Sequence, residues 1–309
     1  MSTEVSLVSP IRSIHFEVGS VRRAASLPVL PSRGCRKSRF LYLSSKAPCW
    51  DSKISRGGDR KPMASVAAGW SDNLLVHDLC TAALTSAVAL GLLKFWEELA
   101  KLRVFEEKLS RKLVHISIGL VFMLFWPLFS SGSQAPYLAA LAPGINIIRM
   151  ILLGLGIWKN DALVKSMSRS GDYRELLKGP LYYALTLTIA TAVFWRTSPV
   201  SLAAVCNLCA GDGVADIVGR RFGHQKLPYN RNKSISGSIA MASAGFLASV
   251  VYMHYFSLFG FIEESWGLVL SLLVVSVASA IVESLPISTE LDDNLTVPLT
   301  AVLLGSLVL

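Results

Sequence analysis

Two aspartates four residues apart stand in an otherwise apolar run, Cys209-Ala-Gly-Asp-Gly-Val-Ala-Asp-Ile-Val-Gly-Arg-Arg-Phe-Gly223. On a helix Asp212 and Asp216 share a face about one turn apart, where two carboxylates repel unless a cation joins them. Acids within apolar sequence are expensive to bury and point to a paired, cationic or metal partner. Mg2+ carried by a nucleotide has the oxygen-seeking chemistry that such a pair suits, which makes Asp212 and Asp216 candidate metal ligands. Gly211 and Gly213 would leave the backbone open to phosphate oxygens, and Gly219 continues the same small-residue face. Taken as packing, the same residues are a Gly/Ala seam around a buried acid pair. Gly-Asp-Gly alone does not separate the two readings.

Cations stand close by in sequence. The stretch Lys226-Leu-Pro-Tyr-Asn-Arg-Asn-Lys233-Ser234-Ile-Ser236-Gly237-Ser238 brings lysines, an arginine, hydroxyls and a glycine to the start of an apolar helix. Free N–H groups and the dipole at such a helix start favour phosphate, so Lys233, Ser234 and Gly237 are candidate contacts. Arg111 and Lys112 open another apolar segment and could neutralise a transferring phosphoryl group. Snorkelling to lipid headgroups is the alternative fate of that pair. His115, one turn on, reads as a polar contact inside the bundle. Lys178, before Gly179-Pro180, is a candidate phosphate contact at a helix start, and Asp292 and Asp293, in the acidic turn Glu290–Asn294 that follows Glu283, could hold a second metal. No Gly-Lys-Ser/Thr ending of a Walker A loop is present, and no His-Arg-Asp with Asp-Phe-Gly set of a protein kinase. Cys206 and Cys209 lack the further ligands that zinc needs and read as small buried thiols.

The elements that must position these groups are apolar. Hydrophobic residues make up 52% of the 309-residue chain, and mean hydropathy is +0.49, which favours a membrane protein. Windows of spanning length run over 74–95, 113–129, 136–158, 181–195, 199–211, 239–261, 266–282 and 295–309. The third, broken by Pro143-Gly144 and carrying Arg149, is one kinked span or two shorter pieces; about seven spans, give or take one, are expected. Runs this long and evenly apolar fit helices better than alternating strands, and the expected fold is an all-α, polytopic transmembrane helical bundle. Trp and Tyr at span ends match interfacial anchoring. If the fifth segment is a full span, the cations before the second span and those after the fifth fall on one face.

The net charge of +9 first suggests nucleic acid, but residues 1–65 hold twelve Lys/Arg against four acids, so the rest is nearly neutral and a nucleic-acid partner is not expected. Those 65 residues are also rich in Ser and lack a secretory apolar core, which predicts a plastid transit peptide removed at about 60–70. The remaining 70–309 form the membrane-embedded domain.

Taken together, Leu109–His115, Glu175–Tyr183, Gly211–Gly223, Lys226–Ser238, Val282–Ile287 and Leu291–Leu295 resemble the polyprenol kinase family, and within it the plant chloroplast phytol and farnesol kinases. The resemblance covers essentially all of 70–309. It is similar in turn to dolichol kinases and CTP-dependent diacylglycerol kinases, whose CTP motif reads Asp-x-x-Ala-x-x-x-Gly followed by a Lys-Lys-Thr-x-Glu-Gly-like stretch. Asp212, Ala215 and Gly219 match the first part; Lys233, Ser234 and Gly237 match the second, where Asn232 replaces a Lys and Ser236 a Glu. Arg111 and Lys112 correspond to the family's basic pair. Segments 119–124, 129–132 and 206–210 lean toward the farnesol kinases.

The resemblance implies a multi-pass chloroplast membrane enzyme. It would use CTP and Mg2+ to phosphorylate a lipid-soluble isoprenoid alcohol (phytol, farnesol or geranylgeraniol) and feed salvage routes such as tocopherol synthesis. Asp212, Asp216, Arg111 and Lys112 would carry the chemistry. A cytidylyltransferase making a CDP-lipid and an ion-coupled transporter are the rival readings.

Overall fold

The computed structural model describes residues 73–309 apart from residue 103, three pairs of residues between 161 and 170, and 287–290. The expected transit segment, 1–65, lies outside the described residues, as does Glu290. The described chain is helical except for one two-stranded hairpin. Helix α1 covers Leu74–Lys101, α2 Glu107–Leu124 and α3 Ala135–Gly154. Helix α4, Gly179–Ile189, runs on through a π-turn, Ala190–Phe194. Helix α5, Pro199–Cys206, passes through a second π-turn, Asn207–Asp212, directly into α6, Gly213–Phe222. Strands β1 (Lys226–Leu227) and β2 (Asn230–Ser234) pair antiparallel before α7, Ile235–Leu258. Helices α8, Trp266–Ser284, and α9, Asp293–Val308, complete the bundle.

Among the described residues, seven helical segments are long and apolar enough to cross a membrane. The windows read from sequence fall on them with three differences. Pro143 lies inside an unbroken α3, since a bundle helix tolerates proline where neighbouring groups satisfy the freed carbonyl. The fifth segment does not stop at Gly211 but continues to Phe222, because Ala210 to Val218 keep helix geometry through the aspartates. The last window is shorter than a full span, an apolar helix of 16 residues.

Successive long segments run up and down. The starts of α2, α4, α7 and α9 therefore meet the ends of α6 and α8 at one end of the bundle. Between the ends lies an apolar core around Trp126, which stacks on Phe256 at 6.0 Å and on Trp195 at 5.4 Å. At the opposite end Arg196, 3% exposed, ties the turn after α2, donating to the carbonyls of Trp126 and Phe129 (both 2.7 Å) and Ser130 (2.8 Å). Asp78 of α1 accepts from the Ser130 N–H and hydroxyl, both at 2.7 Å. Burial lowers the Arg196 guanidinium to about 10, a fall that the Asp78 charge partly offsets.

Candidate active site

The π-turn Asn207–Asp212 is the local feature that presents Asp212. A π-turn inserts an extra residue into a helix, and such turns recur at functional sites because they re-aim a side chain. Small residues let the flanking helices close on it. A Cβ on Gly211 would stand 3.3 Å from the Met241 carbonyl oxygen of α7, one on Gly213 would meet Ile116 of α2, and one on Gly245 of α7 would meet Asn207. Asp212 is thereby buried, 2% exposed, with Lys112 Nζ donating to its Oδ2 at 2.8 Å. His115, one turn along α2, has Nε2 3.5 Å from the same oxygen and 3.0 Å from the Leu208 carbonyl oxygen. Its ring packs on Tyr183 of α4 at 4.3 Å, and the Tyr183 hydroxyl donates to the His115 carbonyl at 2.8 Å.

Facing this group is a second ion-paired set. Lys233, at the end of β2, donates to Glu283 at the end of α8 and, at 2.9 Å, to Asp293 Oδ2 at the start of α9. Burial works against the Lys233 charge, yet the carboxylates of Asp293 and Glu283 outweigh it and hold the ammonium above the ordinary lysine range. The hairpin is fixed to α8 through the Asn230 amide, which donates to the Ser284 carbonyl at 3.0 Å, and through Tyr229, whose hydroxyl lies 3.0 Å from Ser284 Oγ. Carboxylate oxygens of Asp212, Glu283 and Asp293 lie within 4.8 Å of one another. Asp293 Oδ1 is buried with no hydrogen-bond partner among the described residues.

The candidates read from sequence divide clearly. Asp212, Lys112, Lys233 and Asp293 come together. Asp216 does not join them: it lies one turn further along α6 and takes Arg220 Nε at 2.9 Å, an i,i+4 pair. The repulsion expected between the two aspartates is relieved by two separate cations instead of a shared one. Asp292 caps α9, its Oδ1 accepting from Asn294 N at 3.0 Å and from the Asn294 amide at 2.6 Å. Gly179, at the start of α4, abuts this cap, for a Cβ there would stand 3.3 Å from Asp292 Oδ2. Lys178 is exposed beside it, and Arg111 donates to the Ser168 carbonyl at 3.2 Å.

Six candidates for nucleotide contact have a packing or capping role that sequence could not show. Gly211 and Gly213 do not hold the backbone open; they are filled by Met241 and Ile116 because the π-turn draws α2 and α7 against them. Ala215, Gly219 and Gly237 form the close approach of α6 to α7, where a Cβ on Gly237 would lie 3.2 Å from the Ala215 carbonyl oxygen. Ser234 caps α7, its Oγ accepting from Gly237 N at 3.2 Å. Glu283, His115 and Tyr183 join the site without being singled out by the sequence pattern. The signal for Glu283 was there: an acid at the end of the most apolar of the seven segments.

Comparison with known proteins gives close relatives. Over 255 residues, 82% of this chain and 84% of the relative, the sequence is 69% identical to a probable chloroplastic phytol kinase 2 of Oryza sativa. It is 61% identical over 241 residues to the chloroplastic farnesol kinase of Arabidopsis thaliana, covering 78% of each chain. To the chloroplastic phytol kinase 1 of the same plant it is 41% identical over 261 residues, 83% of this chain and 86% of that one. No family model matches the chain, and no solved structure does.

Proposed function

Because the chain belongs to the family of chloroplast phytol and farnesol kinases, we propose that it phosphorylates a membrane-dissolved isoprenoid alcohol, with CTP as donor. The observation that carries this reading is the buried centre of three carboxylates and two lysines at one end of an apolar bundle. Farnesol and phytol are the leading acceptors, and geranylgeraniol a further one. Both alcohols stay in the proposal, since the chain is 69% identical to a probable phytol kinase 2 and 61% identical to a farnesol kinase. Chloroplast membrane residence as a multi-pass protein is part of the same proposal, supported by the relatives' names and the seven apolar segments.

Phosphoryl transfer asks for positioning and charge more than for covalent chemistry. Lys112 and Lys233 would supply positive charge to the phosphates, with Arg111 beside them on α2 and the exposed Arg221, Lys226 and Arg231 at the rim. The residues present fit a hard divalent cation, since Asp212, Glu283 and Asp293 offer clustered oxygens and Asp293 Oδ1 is without a partner among the described residues. These three would hold Mg2+, which supplies charge neutralisation at the phosphates when bound. The alcohol tail would stay in lipid while its hydroxyl reaches the carboxylates.

Membranes from cells expressing the chain, given γ-labelled CTP or ATP with phytol, geranylgeraniol or farnesol, test the proposal. Label in an alcohol monophosphate with release of the nucleoside diphosphate supports it. Pyrophosphate release with a CDP-lipid product would make the chain a cytidylyltransferase, and no product from any alcohol would refute the substrate class.

A further inference from the structure

We propose that Lys112 and Lys233 are resident counter-ions of the three carboxylates, and that they exchange these partners for the phosphates of an incoming nucleoside triphosphate, so that a divalent metal binds only together with the nucleotide. The inference rests on the phosphotransfer reading of the centre and concerns how that centre is loaded.

Lys112 holds Asp212 Oδ2 at 2.8 Å, while Lys233 bridges Glu283 and Asp293 Oδ2. A Mg2+ ion drawing on all three carboxylates, at roughly 2.0–2.1 Å, would take the oxygens that the lysines hold or the second oxygens of the same carboxylates. Either way two ammonium groups and a dication would stand only a few ångströms apart, and their repulsion sets the metal against both ion pairs. The lysines must therefore leave as the metal arrives.

Their placement allows it. Two of the carboxylates lie underneath, with side chains of Asp212 and Glu283 3% and 5% exposed, whereas Lys112, Lys233 and Asp293 are 14%, 19% and 22% exposed and line the open side. Lysine is a point charge on a flexible four-carbon stem, able to pivot to a new anion without moving its backbone. Leaving without a replacement would strand three carboxylates within 4.8 Å of one another, so departure of the lysines and arrival of the metal are one event. A triphosphate meets both needs, since it takes the ammonium groups and brings the metal. Asp293 Oδ1, buried and without a partner among the described residues, is an oxygen already available to that metal. Linkage then requires that metal and nucleotide raise each other's affinity by the same factor.

Mn2+ titrated into the purified full chain in detergent micelles, with bound ion read by electron paramagnetic resonance, tests this without turnover. Wild type should bind Mn2+ at least tenfold more weakly alone than with a β,γ-methylene analogue of CTP, after allowance for Mn2+ held by the analogue in buffer. Lys233→Met and, independently, Lys112→Met should each tighten nucleotide-free Mn2+ binding by tenfold or more. Equal wild-type affinity with and without the analogue would overturn the exchange. So would unchanged nucleotide-free affinity in whichever lysine variant keeps its thermal transition. Loss of the coupling in a protein that still phosphorylates an alcohol overturns the exchange and leaves the kinase reading standing; coupling without any alcohol phosphorylation supports the exchange and counts against the alcohol kinase.

Discussion

Lys112 and Asp212 illustrate how one residue's energetics and its chemistry coincide. Asp212 is buried and Lys112 mostly so, and each neutralises a charge that would be costly alone, so removing one partner is worse than never having had the pair. Lys112→Met is expected to lower stability by about 3–5 kcal/mol and to abolish alcohol phosphorylation, measured by thermal unfolding in detergent and by labelled product. Tyr183 is a milder case. Its hydroxyl bonds the His115 carbonyl while its ring packs on the imidazole, so Tyr183→Phe keeps the ring and loses that bond and a weak 3.5 Å contact with Cys209 Sγ. A loss of about 1 kcal/mol is expected, with activity largely retained, because His115 keeps its contact with the Leu208 carbonyl. At this scale the sequence was informative where charge stood inside apolar residues, as for Asp212. It did not reveal the partner of Asp216, since helical spacing places two residues on one face without saying that Arg220 pairs with the second.

The helices around the π-turn carry the next level of the argument. Gly213 and Gly245 are positions where α2 and α7 touch the site segment, so any side chain there overpacks. Gly213→Val and Gly245→Val should each destabilise by about 1–3 kcal/mol and displace Asp212, reducing activity more than stability alone accounts for. Gly144, inside α3 with nothing near its missing Cβ, is the control: Gly144→Ala should be neutral or stabilising by up to about 1 kcal/mol. Thermal unfolding of the three variants compares them directly. This is also where sequence reading ran short. Glycines at 211, 213 and 219 mark close approach, but spacing does not reveal whether the approaching group is phosphate or another helix. In the structure it is Met241, Ile116, and Ser234 with Gly237. The π-turn itself left no trace in the pattern, because its residues remain as apolar as their neighbours.

Across the whole molecule, two polar clusters sit about 20 Å apart along α2, since Lys112 and Trp126 are separated by fourteen residues of mostly helical rise. The first gathers carboxylates and lysines; the second, Asp78 with Arg196, locks the turns at the other end. Arg196→Met should therefore lower stability by about 3–5 kcal/mol, read by thermal unfolding, and leave the KM for nucleotide unchanged. The helical bundle and its seven apolar segments were legible from hydropathy, because membrane length constrains helices so strongly. Which segment ends meet was not, as it depends on alternating direction through turns that carry no strong signal. The central claim is that the end holding Asp212 performs phosphoryl transfer. The initial rate of alcohol phosphorylation by purified Asp212→Asn, assayed below its own cooperative thermal transition, tests it most directly. A fall of about 1,000-fold is expected when a group at the centre of charge stabilisation is lost; a wild-type rate would contradict the assignment.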